Sequence, residues 1–140
     1  MRLPKTNKVP GRVGAAAVEL AILVPLLCFL FVIAVDWGRV FYFDLTVENC
    51  ARSGALYAGR DPKSAVDTAG IVAEAQKDAP NLDVSKMTVT SNVDSLTAPT
   101  VATVTVNYPF STISNFPGVS SSLTLSRTVT VMVAPAKPNP

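Results

Sequence analysis

Hydrophobic residues are concentrated near the start of the chain, where they form one continuous run. Leu20 to Val35 contains sixteen consecutive residues without a charge, and Glu19 is the single charged residue in Ala15 to Val35. An α-helix rises about 1.5 Å per residue, so residues 15–35 would form a helix roughly 31 Å long. That length matches the hydrocarbon core of a bilayer, which is about 30 Å thick. The pattern therefore predicts a membrane-spanning helix over residues 15–35.

The helical pattern continues beyond the apolar run. Small and apolar residues recur at spacings of three and four, which is the period of one helix face; they are Val40, Phe43, Val47, Cys50, Gly54 and Tyr57. Pro62 is the first residue that would clearly break the pattern. We therefore predict one helix of about 45 residues, half in the membrane and half outside it, with this stripe packed against the rest of the protein.

A second helix is predicted from the residues that follow. Gly59 is a helix terminator, Asp61 an N-cap and Pro62 a first-turn residue. The helix is expected to continue to about Asp78. Its expected inner side consists of Val66, Ala69, Val72, Ala73 and Gln76.

The remainder of the chain has the alternating pattern of half-buried antiparallel strands. Strands are predicted over residues 86–93, 100–108 and 122–133. The expected inner residues are Met87 and Val89 in the first strand, Ala102, Val104, Val106 and Tyr108 in the second, and Leu123, Leu125, Val129, Val131 and Val133 in the third. Arg127 falls on the apolar side of the third strand, which predicts either a bulge or a rim position there.

These elements predict an α+β fold with a long N-terminal helix, a second short helix and a small antiparallel sheet of about three strands. The predicted organisation is a basic leader (1–14), a membrane-spanning helix (15–35), an exported continuation of that helix (36–60), a small α+β exported domain (61–134) and a flexible tail (135–140). The segment between the last two strands, Pro109 to Ser122, is expected to be a loop that carries part of the surface chemistry.

Charge is distributed unevenly along the chain. The net charge is +2, but residues 1–14 contain four basic residues and no acid, a charge of +4. The remaining 8 basic and 10 acidic residues give residues 15–140 a charge of −2. The positive-inside rule then predicts a cytoplasmic N-terminus and an exported C-terminal part. A mildly acidic exported part also argues against nucleic acid as a partner.

The residue types that usually carry catalysis or bind metals are sparse. The chain has no histidine, no Gly-rich phosphate loop and no cysteine cluster with zinc spacing. We therefore predict no catalytic residue, metal or cofactor. Cys28 and Cys50 would lie about 33 Å apart on one helix, so they are interpreted as packing residues. The alternative for Cys50 is a disulfide between subunits in an oxidising exterior.

Glu19 stands out because a carboxylate inside a membrane costs several kcal/mol unless it is paired. It is therefore a candidate functional residue. In the alternative interpretation Glu19 lies near the cytoplasmic interface, one turn from Ala15, and reaches the lipid headgroups.

The sequence around Glu19 resembles the processing site of type IV-type prepilins. In that pattern a basic leader ends in glycine, cleavage follows, and glutamate is the fifth residue of the new N-terminus. Here Gly14 would end the leader, Ala15 would become the N-terminus and Glu19 would occupy the fifth position.

A longer stretch, Arg12 to Gly59, is similar to the TadE-like (TadE/TadG) proteins of the tight-adherence pilus system. The shared features include Pro25 within the apolar run, the acidic–aromatic–Gly–Arg step at residues 36–39 and the small-residue stretch at 49–58. Leu20, Cys50 and Leu56 depart from the usual family residues.

The resemblance implies a pilin-like fold and a prepilin-like subunit, either a pseudopilin or a minor pilin. It also implies as partners the prepilin peptidase, other pilin or pseudopilin subunits, the inner-membrane assembly platform and membrane lipid. The implied location is the bacterial inner membrane, or a surface pilus after processing. Pro25 would loosen the helix during extraction or packing, or is a proline that a membrane helix tolerates.

Two other functions compete with this hypothesis. One is an uncleaved membrane protein whose exported domain scaffolds pilus or secretion assembly. The other is a secreted enzyme released by ordinary signal peptidase. The apolar run is long for a signal sequence and no clear small-x-small site follows it, which disfavours the second.

Overall fold

The computed structural model describes residues 12–95, 99–113 and 121–136, with side chains from residue 14 onward. Its elements confirm the predicted α+β fold: α1 (Arg12–Ala58), α2 (Pro62–Val66), α3 (Thr68–Lys77), a 3₁₀ turn (Val84–Lys86), β1 (Thr88–Asp94), β2 (Val101–Ser111) and β3 (Ser122–Met132). The chain forms two compact units that divide between Val35 and Asp36. The predicted leader lies largely outside the described residues, as does most of the predicted tail.

The single long helix predicted from the sequence is confirmed, and α1 contains 47 residues. It ends where Gly59 donates its N–H to the Ala55 carbonyl at 2.9 Å. A Cβ at position 59 would lie 3.0 Å from Val131 Cγ2, and Ala134 N–H donates to the Gly59 carbonyl at 2.9 Å. Glycine therefore allows the end of α1 to approach the end of β3 closely.

The predicted second helix is two helices, because the chain breaks at Asp67. Asp61 caps α2 as predicted, accepting from the backbone N–H groups of Lys63 and Ser64 at 2.9 Å. Asp67 then accepts from Gly70 N–H at 3.0 Å and acts as the N-cap of α3. A second cap in the middle of the segment starts a new helix with a different phase.

The inner side predicted for the second helix is also wrong, because the break at Asp67 changes which residues face the core. Ala65, Ile71 and Ala75 are the buried residues of α2 and α3. Val66, which was expected inside, is 69% exposed. Ala69 and Ala73 are also exposed, and Val72 and Gln76 are half-buried.

The three predicted strands form one antiparallel sheet in the order β1-β2-β3. The predicted inner face of β2 is confirmed, with Ala102, Val104, Val106 and Tyr108 all buried. On the opposite face threonine hydroxyls pair across β2 and β3, at 3.2 Å for Thr103 and Thr130 and 2.8 Å for Thr105 and Thr128. The β3 face is only partly buried, since Leu125 is buried and Leu123 is 46% exposed.

Strand β2 continues through Pro109 to Ser111, where the sequence predicted a loop. Proline is tolerated because β1 pairs only as far as Asn107, so Pro109 has a neighbouring strand on one side alone. Residues 114–120 of the predicted loop lie outside the described residues.

Arg127 occupies the rim of the sheet without a bulge. The β2–β3 pairing is continuous from Val101 opposite Met132 to Ser111 opposite Ser122. Arg127 pairs with Val106, whose side chain is buried, and its guanidinium reaches the carboxylate of Asp44 on α1. This ion pair lets a charged residue occupy the apolar side of a strand.

The core of the unit that begins at Asp36 lies between the second half of α1, α3 and the sheet. The buried apolar residues of this half of α1 are mostly small, which allows close packing; they are Val47, Cys50, Ala51, Gly54, Ala55 and Ala58. A Cβ at Gly54 would lie 3.3 Å from Val104 Cγ1 and 3.4 Å from both Ala75 Cβ and Ile71 Cγ2.

Gly54→Val should destabilise this unit by about 1–3 kcal/mol, because the extra methyl groups have no space against β2 and α3. Gly38 is the matched control, since no side-chain or distant atom lies within 4 Å of a Cβ at that position. Gly38→Val should instead stabilise the helix slightly, by about 0.3–0.5 kcal/mol, because valine has a higher helix propensity than glycine. Urea unfolding of the detergent-solubilised chain, followed by near-UV circular dichroism, measures both changes. Equal effects at the two glycines would contradict the packing described here.

Candidate membrane and assembly segment

The first unit contains the apolar half of α1, whose side chains are exposed almost throughout. Every described residue from Gly14 to Val35 is exposed except Ile33, which is half-buried. The helix is long and apolar enough to be a candidate membrane span, with a mean hydropathy of 2.9 in its most apolar window. An apolar helix surface of this length requires lipid or protein around it.

The predicted processing residues lie within α1, near the first residue that the structure describes. Gly14 and Ala15 are exposed, and a Cβ added at Gly14 would have no atom within 4 Å outside its own local backbone.

Glu19 is exposed one turn further along. It forms no ion pair with any other residue that the structure describes. Residues four apart lie on the same helix face, so Ala15 and Glu19 are neighbours on the surface of α1.

Pro25 lies inside α1, and its side chain is exposed. Proline has no N–H, so the carbonyl of Ala21, four residues earlier, lacks its usual helical donor. The apolar half of the helix therefore has one weakened turn.

The predicted packing stripe lies within the second unit. Val47 is fully buried, while Val40, Phe43 and Tyr57 are half-buried against the core. Phe43 stacks with Tyr108 at a centroid distance of 6.1 Å and contacts Phe110 at 5.3 Å.

Asp36 is a buried carboxylate that ties α1 to the end of β2. It is 5% exposed and accepts from Ile113 N–H at 3.0 Å and from Arg39 Nη1 at 3.2 Å. The sequence indicates the pairing with Arg39 through its i,i+3 spacing. The bond to Ile113 joins residues 77 apart in the chain and has no local signal in the sequence.

Asp36→Ala should lower the free energy of unfolding by about 1–3 kcal/mol, because Ile113 N–H loses its acceptor and Arg39 its counter-ion. Glu48→Ala is the control, since Glu48 and Arg52 form an exposed pair, and should cost only about 0–1 kcal/mol. Urea unfolding of both variants provides the comparison. A loss at Asp36 no larger than that at Glu48 would show that the buried carboxylate does not stabilise this junction.

Hydrogen bonds shift the pKa values of two side chains at the end of α1, those of Tyr57 and Asp67. Tyr57 Oη donates to Asp67 Oδ2 at 2.8 Å, which raises the pKa of the Tyr57 phenol. The pKa of Asp67 is lowered, first by the backbone N–H of Gly70 and then by Tyr57. The N-cap of α3 is thus also an anchor for α1.

Three capping carboxylates make the folded unit sensitive to acid. Hydrogen bonds lower the pKa of Asp61, Asp67 and Asp83 below the ordinary value of 3.8, chiefly from Ser64 N–H, Gly70 N–H and the Ser85 side chain respectively. A lowered folded-state pKa contributes stability that is fully present above the unfolded value and is lost as the pH falls through the folded value.

We therefore expect the melting temperature to fall as the pH drops below about 4. The triple variant with asparagine at Asp61, Asp67 and Asp83 should show a smaller fall than the unmodified chain. Thermal melts from pH 7 to about pH 2 measure the effect. Identical acid profiles for the triple variant and the unmodified chain would contradict this assignment.

Cys50 is fully buried, and Cys28 is exposed on the apolar half of α1; neither forms a disulfide. Burial, followed by the nearby Asp78 carboxylate, raises the pKa of the Cys50 thiol. A buried thiol that resists ionisation is unsuited to forming a disulfide between subunits. The packing interpretation of Cys50 is therefore favoured.

The described residues contain no group of three or more histidine, cysteine, aspartate or glutamate side chains that could hold a metal ion. The candidate site is the exposed apolar half of α1, residues 14–35, in which Glu19 is the single carboxylate.

Residues 14–56 match the profile of the TadE-like protein family. This match confirms the resemblance predicted for Arg12 to Gly59, and it begins at the glycine of the predicted processing site. Comparisons with curated proteins and with solved structures gave no significant match.

Proposed function

We propose that this chain is a prepilin-like subunit, a pseudopilin or minor pilin, of a tight-adherence pilus. It is cut after Gly14 and assembles through its N-terminal helix for surface adhesion. The observation that carries the proposal is the TadE-like match over residues 14–56, on a helix whose apolar half is exposed. The role is structural, and it needs no cofactor.

The residues at the site support cleavage after Gly14. Gly14, Ala15, Ala16 and Ala17 are small, so a membrane-embedded peptidase has unobstructed access to the backbone. Cutting there removes the +4 charge of residues 1–14. That charge holds the N-terminus on the cytoplasmic side, so its loss frees the helix to leave the membrane.

Cleavage also supplies a partner for Glu19. The new ammonium group at Ala15 of one subunit pairs with Glu19 of its neighbour, which offsets the cost of burying each charge separately. A single ion pair in an otherwise apolar helix bundle fixes the axial register between subunits. Pro25 weakens one turn of the same helix, which helps the segment to leave the bilayer or to pack in the filament.

Before assembly the chain occupies the bacterial inner membrane as a single-pass protein with its N-terminus inside. Its partners are the prepilin peptidase, other pilin or pseudopilin subunits, the inner-membrane assembly platform and membrane lipid. Nucleic acid is not among them.

Deleting the prepilin peptidase tests this function against the uncleaved scaffold. For a prepilin-like subunit, the chain should disappear from the sheared-surface fraction and accumulate in the membrane fraction. A scaffold would stay in the membrane fraction in both strains. An unchanged distribution on deletion would therefore reject the prepilin role.

A further inference from the structure

The second unit carries an exposed apolar stripe on the side of α1 that faces away from its core. Trp37, Phe41 and Leu45 are 58%, 63% and 60% exposed. They are spaced four residues apart, so they lie along one face of the helix. Trp37 and Phe41 are in contact, with ring centroids 6.2 Å apart.

We propose that Trp37 and Phe41 bind the lipid headgroup layer at the outer boundary of the membrane, so that the exported unit rests on the bilayer surface. The inference depends on the membrane-spanning part of the proposed function, and it does not depend on cleavage after Gly14.

The position of the stripe along the chain indicates that lipid headgroups cover it. If the membrane span ends at Val35, Trp37 lies about 3 Å and Phe41 about 9 Å further along the helix axis. Each headgroup layer is roughly 5–8 Å thick. Trp37 therefore falls inside this layer. The Phe41 backbone lies just beyond it, and the Phe41 side chain leans back toward the helix N-terminus and so reaches its outer edge. Leu45 lies beyond the layer.

The chemistry of the rings also fits this layer. Tryptophan is enriched where hydrocarbon meets headgroups, because its ring is apolar and its indole N–H donates a hydrogen bond. Two aromatic rings in contact, those of Trp37 and Phe41, present an apolar surface on α1.

The nearest charges are directed into the protein, so they do not oppose this placement. Asp36 is buried and accepts from Ile113 N–H and Arg39. The Arg39 guanidinium lies 5.0 Å from the centre of the Phe110 ring. The face that carries Trp37 and Phe41 is therefore free of the charges that flank it in sequence.

Trp37 is the single tryptophan of the chain, so its fluorescence measures its own depth. The uncleaved full-length chain is reconstituted in phosphatidylcholine vesicles that contain a nitroxide on the headgroup or near the end of an acyl chain. Two matched single-tryptophan variants calibrate depth in a Trp37→Phe background: Phe29→Trp within the span, and Leu56→Trp, an exposed position further along α1.

The proposal predicts that Trp37 emission shifts to shorter wavelength than in Leu56→Trp and is quenched more by the headgroup nitroxide than by the acyl-chain nitroxide. The tryptophan of Phe29→Trp should show the reverse order, and that of Leu56→Trp should be quenched by aqueous iodide.

Three other results would reject the headgroup contact, each for a different reason. If Phe29→Trp is not quenched by the acyl-chain nitroxide, the membrane span itself is wrong and the proposed function fails with it. If Phe29→Trp is quenched but Trp37 responds only to iodide, the span is retained and the headgroup contact is rejected. Short-wavelength Trp37 emission without quenching by lipid or iodide would mean that protein covers the stripe, which also rejects the proposal.

Discussion

Glu19→Ala should leave the chain cleaved after Gly14 and reduce its level in the sheared-surface fraction to background. In the proposed filament, the variant would lack the carboxylate that pairs with the Ala15 ammonium of the neighbouring subunit, and that ammonium would be left buried without a counter-ion. Breaking a buried ion pair on one side typically costs about 3–5 kcal/mol. Such a loss at each contact in a filament would prevent assembly.

Two controls separate pairing from membrane insertion. Removing a carboxylate makes a membrane helix cheaper to insert, so Glu19→Ala should remain abundant in the membrane fraction. Glu19→Asp keeps the charge on a shorter side chain and should retain part of the assembly. Normal surface levels of Glu19→Ala would reject the pairing role and favour the alternative in which Glu19 only reaches headgroups.

Gly14→Val should block processing and leave the full-length chain in the membrane fraction. Valine adds a branched side chain at the residue whose carbonyl the peptidase would attack in the proposed cleavage. The bulk hinders access to the backbone, and the uncut chain keeps the basic leader that fixes its topology.

Gly11→Val is the matched control, because it makes the same change three residues earlier in the leader and should be processed normally. Intact mass of both variants measures the outcome. A mature species beginning at Ala15 from Gly14→Val would overturn the assignment of the site, and loss of processing in both variants would show that it is not specific to Gly14.

The features predicted correctly from the sequence are those with a local signal, either a repeating pattern or a short specific motif. The apolar run and the stripe from Val40 to Tyr57 predict α1 as one helix, because helical periodicity is visible over many turns. Alternation of valine and threonine predicts the inner face of β2 for the same reason. Asp61 and Pro62 together predict the start of α2, since a cap followed by proline is a specific signal.

The features that were missed depend on single side chains or on contacts between distant residues. Asp67 splits the predicted second helix, and the aspartate before Thr68 is the signal that could have indicated a new cap. The continuation of β2 through Pro109 depends on where β1 ends, which is set by strand register. The bond from Ile113 to Asp36 and the pairing of Arg127 with Asp44 appear only once the chain is folded.

The candidate site is a linear segment, so describing it requires no tertiary contact. Gly14, Ala15, Glu19 and Pro25 lie within one stretch of helix, so their spacing already gives their arrangement on its surface. The exposure of Trp37 and Phe41 required the structure, since it depends on which face of α1 the sheet covers.

The intact mass of the chain recovered from the sheared-surface fraction tests the central claim most directly. The account predicts a species containing residues 15–140, shorter than the precursor by the fourteen residues that end at Gly14. Recovery of the full-length chain in the membrane fraction alone, with no shortened species at the surface, would contradict it.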